Sequence, residues 1–151
     1  MNKTAFHAAA GTMGMLLIAT FWISTLVSEL FLDRVAVVMI KHCIAMYGLA
    51  FLVVLQLMTS GSGFALGKGR RGRLLEEKKK RMPIIGANGV LIMIPAAIFL
   101  NAKASAGEFD AWFYAIQTVE LAVGLVQLTL MGRNFRAGLS LSGRLRATAI
   151  K

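Results

Sequence analysis

Histidine and cysteine are scarce in this chain of 151 residues, which contains two histidines and one cysteine. A single cysteine excludes an intramolecular disulfide, and two histidines far apart in sequence do not supply the clustered ligands of a tetrahedral zinc or copper site. Acidic residues are also few, with seven against 17 lysines and arginines. The resulting net charge of +10 does not indicate nucleic-acid binding, because neither a folded basic domain nor an aromatic platform accompanies it.

Charged residues make up only 16% of the chain, whereas hydrophobic residues make up 57%. This leaves too little polar surface to cover a soluble domain of this size. Four apolar runs, at residues 6–32, 35–58, 83–100 and 109–131, are long enough to cross a hydrocarbon core of about 30 Å at about 1.5 Å per residue. The sequence therefore predicts an all-α fold with one transmembrane domain, an integral membrane four-helix bundle.

The positions of the lysines and arginines predict how this bundle is oriented. They concentrate in a basic loop, residues 59–82, and in a basic tail, residues 132–151. Positively charged segments next to spans stay in the cytoplasm, so we expect a multi-pass protein of the inner membrane with both termini inside. The lipid bilayer is then a partner, and the loop side chains are expected to contact anionic headgroups. These side chains are Lys68, Arg70, Arg71, Arg73, Lys78, Lys79, Lys80 and Arg81.

Polar side chains keep to one face in three of the apolar runs, at about 100° per residue. Such faces must turn toward the bundle interior, and the glycines among them allow close helix packing. The predicted inward faces are His7, Gly11, Gly14, Ile18, Thr25 and Glu29 in the first run; His42, Met46, Leu49, Val53 and Gln56 in the second; and Phe113, Gln117, Glu120, Gly124 and Gln127 in the fourth. In the third run, Asn88 precedes Pro95, which is expected to distort the helix.

Glu120 lies roughly 15 Å inside the fourth run by helix rise, where a carboxylate costs about 2.5–3.5 kcal/mol unless it is protonated or paired. His42 lies about 10 Å inside the second run, so we expect the two groups to occupy neighbouring layers. His42 then either donates to Glu120 and offers its other nitrogen to heme iron, or forms a structural pair with it. Gln117 and Asn88 are expected to support this site or relay protons, with hydrogen bonding between helices as the alternative.

His7 is predicted at the opposite membrane face, about 25 Å from His42 along the bundle. The two histidines therefore cannot bind one iron within a single chain. A heme with two histidine ligands would need a second copy. Otherwise each histidine would be joined by Met46, Met13 or another residue, or the second iron position would stay without a ligand. We expect His42 to be the first choice of ligand and His7 the second, with a structural role as the alternative for each.

The first span opens with Phe6-His7-Ala8-Ala9-Ala10-Gly11-Thr12-Met13-Gly14. This opening, a histidine followed seven positions later by a glycine, resembles that of two groups of small heme-binding four-helix membrane proteins, the copper-resistance D type and the bacterial HemJ-type protoporphyrinogen oxidases. The segment from Lys41-His42 through Gly48 resembles the helix of the HemJ type that bears His and Lys. The chain lacks the tryptophan usual before the glycine, and its Lys and His are adjacent and reordered. The resemblance implies a b-type heme, bound by the first-helix histidine, that exchanges electrons with a porphyrinogen, a quinone or a respiratory partner.

Three functions are compatible with these features, and whether the chain is an enzyme stays open among them. The leading hypothesis is an electron-transfer or redox protein that binds heme b, with Glu120 tuning charge or relaying protons. One alternative is a non-enzymatic subunit that helps to assemble a larger membrane complex. The other is a small proton-coupled transporter that uses Glu120 and His42 as its relay, for which a homodimer would supply eight spans.

Overall fold

The structure, a computed structural model, describes residues 2–67 and 72–141, and these ranges are almost wholly helical. They contain four long helices, each with an apolar stretch that is long enough to cross a membrane. The helices are α1 (Lys3–Phe31), α2 (Arg34–Gly67), α3 (Arg73–Ser105) and α4 (Ala111–Leu141). The predicted all-α arrangement of four apolar helices is confirmed.

The helices extend further into polar sequence than the apolar runs do. Much of the segment expected to be a loop, residues 59–82, is helical, because α2 continues to Gly67 and α3 begins at Arg73. The tail is helical as far as Leu141. Hydropathy marks where a chain can enter lipid, whereas backbone hydrogen bonding continues through polar residues that favour helix. In α3, ion pairs from Glu77 to residues four positions away support this polar part.

The two ends of the bundle differ in charge and in the length of their connections. The acidic end contains the short connections, residues 32–33 and 106–110, and the basic end contains the first residues of α1 and α3 and the last residues of α2 and α4. At the acidic end, Asp33 accepts a hydrogen bond from the Ala36 amide at 2.9 Å, and Asp110 accepts one from the Phe113 amide at 2.9 Å. Carboxylates thus cap the first turns of α2 and α4, where the helix dipole favours negative charge.

Acid should weaken the cap of α4. The Lys103 ammonium donates to Asp110 at 2.7 Å, and this bond, followed by that from the Phe113 amide, holds the pKa of Asp110 below its usual 3.8. A carboxyl whose pKa is lower in the folded state stabilises the fold above the unfolded pKa and loses that contribution as the pH falls through the folded pKa. We expect thermal unfolding scans in detergent to show a steeper loss of stability below about pH 4 for the wild type than for Asp110→Asn. Parallel acid profiles of the two proteins would contradict this.

The apolar core lies near the acidic end and closes the bundle there. Val37 from α2, Leu100 and Ala104 from α3 and Phe113 from α4 pack together, with exposures of 0–4%. The Phe109 ring meets the Phe113 ring edge to face, with centroids 4.9 Å apart. This core therefore holds α2, α3 and α4 together at the acidic end.

Each of α2 and α3 contains one π-helical turn, at Ile44–Gly48 and Gly89–Met93. A π turn adds one residue to the helix and so rotates everything after it by about 100° relative to an uninterrupted α-helix. The turn in α3 ends just before Ile94 and Pro95. It is the helix distortion that was expected at this proline, because proline has no N–H and leaves one backbone carbonyl without its usual partner.

The π turn of α2 overturns the face predicted for that helix. Before the turn, the interior side is formed by Val37, Lys41 and Ile44, and after it Gln56 faces the interior. A regular 3.6-residue count had placed Gln56 on the face of His42, but the extra residue places it on the face of Lys41 instead. The predicted faces of α1 and α4 are confirmed by burial at the following positions: Gly14, Ile18, Thr25, Phe113, Gln117, Gly124 and Gln127.

Gly124 lets α4 pack closely against Trp22 of α1. The Trp22 indole N–H donates to the Leu121 carbonyl at 2.8 Å, and a Cβ at position 124 would lie 2.8 Å from the indole Cδ1. Gly124→Ala should therefore displace an anchored ring and destabilise the fold by about 1–3 kcal/mol. Gly132→Ala on the same helix is the matched control, since a Cβ there meets no atom within 4 Å. Equal melting temperatures for the two variants would show that Trp22 is not held as described.

Candidate functional site

A cavity of about 1390 Å³ opens between the four helices. Its lining extends from Asn2 and Leu141 at the basic end to Thr25 and Glu120 in the interior, more than about 30 Å by helix rise. This volume exceeds the roughly 300–1,000 Å³ that is typical of small-molecule pockets. Apolar side chains dominate the lining. The side chains that carry a charge, an imidazole or an amide are Asn2, His7, Gln56, Arg73, Lys78, Lys79, Glu120, Gln127 and Asn134.

His7 lies near the basic end of this cavity, and its ring has hydrogen-bond partners at both nitrogens. Nδ1 lies 3.1 Å from the Thr59 carbonyl oxygen and 3.0 Å from the Ser62 hydroxyl, and Nε2 lies 3.5 Å from the Lys78 ammonium. A carbonyl can only accept, so Nδ1 carries the proton and donates, and Nε2 presents its lone pair. The ring also packs against Gly63, where a Cβ would come within 3.1 Å of the imidazole.

His42 does not lie in the interior, and the contact expected between His42 and Glu120 is wrong. His42 is exposed on the outer surface of α2, as is the following Cys43. The neighbouring Lys41 is buried, with 2% exposure, and its ammonium lies 2.7 Å from Glu120. Val37, Lys41 and Ile44 follow one another at intervals of four and three residues, so they share the buried side of the helix. His42 comes one residue after Lys41, and its side chain therefore points about 100° away from that side.

Glu120 is paired in the interior, as its depth predicted, but with a residue that sequence reasoning missed. Its Oε2 accepts from the Lys41 ammonium at 2.7 Å and from the Gln117 amide at 3.2 Å. The inward face predicted for the second apolar run did not include Lys41. Two features of the sequence could have identified Lys41. It is a cation at the helical spacing of the apolar residues Val37 and Ile44, and Glu120 on the fourth helix is an anion that needs a partner in the interior.

Asn88 is not part of the hydrogen-bonded group formed by Glu120, Lys41 and Gln117. It ends the first α-helical part of α3, beside the π turn, and within the described ranges it has no hydrogen bond to Glu120. The polar link between α3 and α4 is made instead by Gln127, whose side-chain amide donates to the Ile85 carbonyl at 3.0 Å. Of the predicted interior site, the structure therefore joins Glu120 with Gln117 and leaves out His42 and Asn88.

The structure describes five of the eight cations that were predicted to contact lipid headgroups. Lys68, Arg70 and Arg71 lie outside the described residues. Arg73 and Lys80 are exposed, and Lys79 and Arg81 pair with Glu76 and Glu77 of the same helix. Lys78 is turned inward to His7. Contact with lipid headgroups thus stays a prediction for the exposed cations, and Lys78 belongs to the cavity.

Within residues 2–67 and 72–141, no group of three or more histidine, cysteine or carboxylate side chains is placed to hold a metal ion. A metal ion that is already bound in an organic chelating ring needs only one or two ligands from the protein. His7 is a candidate for one of them.

Neither protein-family models nor curated proteins nor solved structures match this chain. The functional inference therefore depends on the cavity, on His7 and on the buried charges themselves.

Proposed function

We propose that this protein is a multi-pass inner-membrane protein that binds a b-type heme in its cavity, with His7 as the iron ligand, and takes part in electron transfer. The observation that carries the proposal is the state of the His7 ring. Its Nδ1 donates to the Thr59 carbonyl, and its Nε2 lone pair is directed to the side of the cavity lined by Lys78. Metal-binding histidines almost always donate their second ring N–H to a carbonyl or a carboxylate in this way.

The rest of the cavity fits the same group. Its lining is largely apolar, which suits a porphyrin face. The cations of Lys78, Lys79 and Arg73 line it toward the basic end, where they would hold the carboxylates of a heme. Iron binding at Nε2 would replace the Lys78 contact of 3.5 Å and free that ammonium for a carboxylate.

The position of any further ligand also follows from the lining. Met13 and Met46, the thioethers expected as partners, are about half exposed on the outer surface. The methionines that line the cavity are Met15, Met82, Met93 and Met131. A thioether can bind heme iron and raises its potential, so one of these four would hold the iron together with His7.

With the basic end in the cytoplasm, the cavity opens to that side of the membrane. Both termini then face the cytoplasm, and the short acidic connections lie outside. The heme, when bound, supplies one-electron exchange. The protein residues would bind it and fix the ring of His7.

Absorption spectra of the protein, purified in mild detergent from heme-replete cells, test this function. We expect a Soret band in the oxidised protein and sharp α and β bands after addition of dithionite. A colourless, helical and monodisperse preparation would overturn the proposal and would favour a non-enzymatic subunit of a larger membrane complex.

A further inference from the structure

A second group of charges lies between the inner end of the cavity and the acidic end of the bundle. It consists of Glu29 on α1, Lys41 on α2, and Gln117 and Glu120 on α4, and is called the buried charge cluster below. The Lys41 side chain is 2% exposed and that of Glu120 is 12% exposed. No part of the electron-transfer function described above requires a lysine and two carboxylates at this depth.

Two oxygen atoms of the cluster lack a hydrogen-bond donor among the described residues. They are Oε1 of Glu29 and Oε1 of Gln117, both shielded from solvent. Gln117 is itself only 4% exposed, and its amide nitrogen donates to Glu120, so its unpaired oxygen belongs to the same cluster. Glu29 lies close enough to interact electrostatically with both Lys41 and Glu120. Most buried side-chain acceptors have a donor, so each exception calls for an explanation, such as a bound proton, water or ion.

The charges of the cluster do not balance. Two ionised carboxylates and one ammonium leave a net charge of −1, which is costly in the apolar interior of a membrane protein. Within residues 2–67 and 72–141, no cation other than Lys41 forms an ion pair with the cluster. Lys103 of α3 is held at the acidic end by Glu108 and Asp110. The Arg34 guanidinium of α2 lies over the Phe109 ring, 5.2 Å from its centroid, and α1 adds only the uncharged hydroxyls of Ser28 and Thr25.

We propose that the buried charge cluster is a proton-binding site that holds one exchangeable proton, carried by Glu29. The Lys41 and Gln117 donors already occupy Glu120, which remains the ionised partner. A proton taken from water by Glu29 makes the cluster neutral and gives this carboxyl group a hydrogen atom to donate.

Both carboxylates have a route to water. Glu120 borders the inner end of the cavity, which opens at the basic end. Glu29 precedes Asp33, at the acidic end, by one helical turn, about 6 Å. The Lys41 ammonium binds the deeper carboxylate and interacts with the other. A change of charge in the cavity would therefore alter the proton occupancy of the cluster, whatever group fills the cavity.

Infrared spectroscopy of the purified protein in lipid, at neutral pH, tests this site through the C=O stretch of a protonated carboxyl group. We expect one such band in the wild type and none in Glu29→Gln, which is isosteric with the protonated side chain and should fold. Glu120→Gln should also lose the band, because Lys41 then neutralises Glu29. Glu108→Gln, at the exposed ion pair with Lys103, is the control and should keep it. No band in the wild type, or a band that survives in Glu29→Gln or Glu120→Gln, would overturn the proposal.

Transfer into D₂O tests whether the proton exchanges. We expect the C=O band to shift to lower frequency while the amide hydrogens of the buried helix segments remain largely protonated, since the cavity gives water access to the cluster. A band that shifts only together with those amides would mean that the proton is locked in the fold, and the exchangeable site would be rejected. The measurement does not depend on heme, so a colourless preparation tests it equally well.

Discussion

Lys41→Met is expected to destabilise the protein by about 3–5 kcal/mol, because it removes the cation from a buried pair and leaves the partner charge behind. The Lys41 ammonium is 2.7 Å from Glu120, and its side chain is almost fully buried. Methionine keeps the length of the side chain and adds no polar atom. The loss is therefore one of charge, since Glu120 would be left without its counter-charge in an apolar interior.

A double-mutant cycle separates the pair from the packing around it. Lys41→Met combined with Glu120→Gln removes both charges, and we expect most of the stability to return, because neutral replacement of a buried pair is often close to neutral in free energy. Unfolding in detergent by heat or by a denaturing surfactant measures each corner of the cycle. Lys80→Met, at an exposed lysine of α3, is the matched control and should change little. Additive effects of the two buried substitutions would show that Lys41 and Glu120 do not interact.

His7→Ala is expected to abolish heme binding, whereas His42→Ala should leave it intact. His7 presents its Nε2 lone pair to the cavity, and His42 lies on the outer surface. Each variant would be expressed and purified as for the wild type, and its Soret absorbance compared per mole of protein. His42→Ala is a strict control, since it removes the same imidazole from the same fold.

Folding must be checked separately, because the hydrogen bonds of His7 to Thr59 and Ser62 also join α1 to α2. A circular dichroism spectrum and a gel-filtration profile like those of the wild type would show that heme loss in His7→Ala is not general unfolding. Undiminished Soret absorbance in His7→Ala would exclude His7 as the ligand. Loss of heme in His42→Ala alone would identify His42 as the ligand. Because His42 lies on the outer surface of α2, a second copy or another partner would then have to complete the site.

The interior of α4 shows why part of the site was predictable. Phe113, Gln117, Glu120, Gly124 and Gln127 recur at intervals of three and four residues, and α4 is an uninterrupted α-helix, so one periodicity places them all on one side. The depth of Glu120 follows from helix rise alone, and the cost of an isolated charge then predicts a partner. The identity of that partner did not follow, because the face of α2 cannot be counted through a π turn that the sequence does not announce.

His7 likewise shows what the sequence predicted and what depended on the tertiary structure. Its place near the start of an apolar run shows that it belongs to one end of the bundle, but its role depends on Thr59, Ser62 and Lys78, which are more than fifty residues away in sequence. Gly63 permits the close packing of the ring, and sequence patterning had given it no role.

The amino-acid sequence by itself determined that this protein is a set of four apolar helices with two basic segments, because hydrocarbon requires every backbone hydrogen bond to be made internally and leaves composition little freedom. It also determined the inward faces of α1 and α4, which obey regular helical periodicity. Only the tertiary structure decided that Lys41 rather than His42 meets Glu120, and that His7 borders a large cavity. Those outcomes depend on where a helix gains one residue and on how closely neighbouring helices pack, and both are set by contacts between distant parts of the chain.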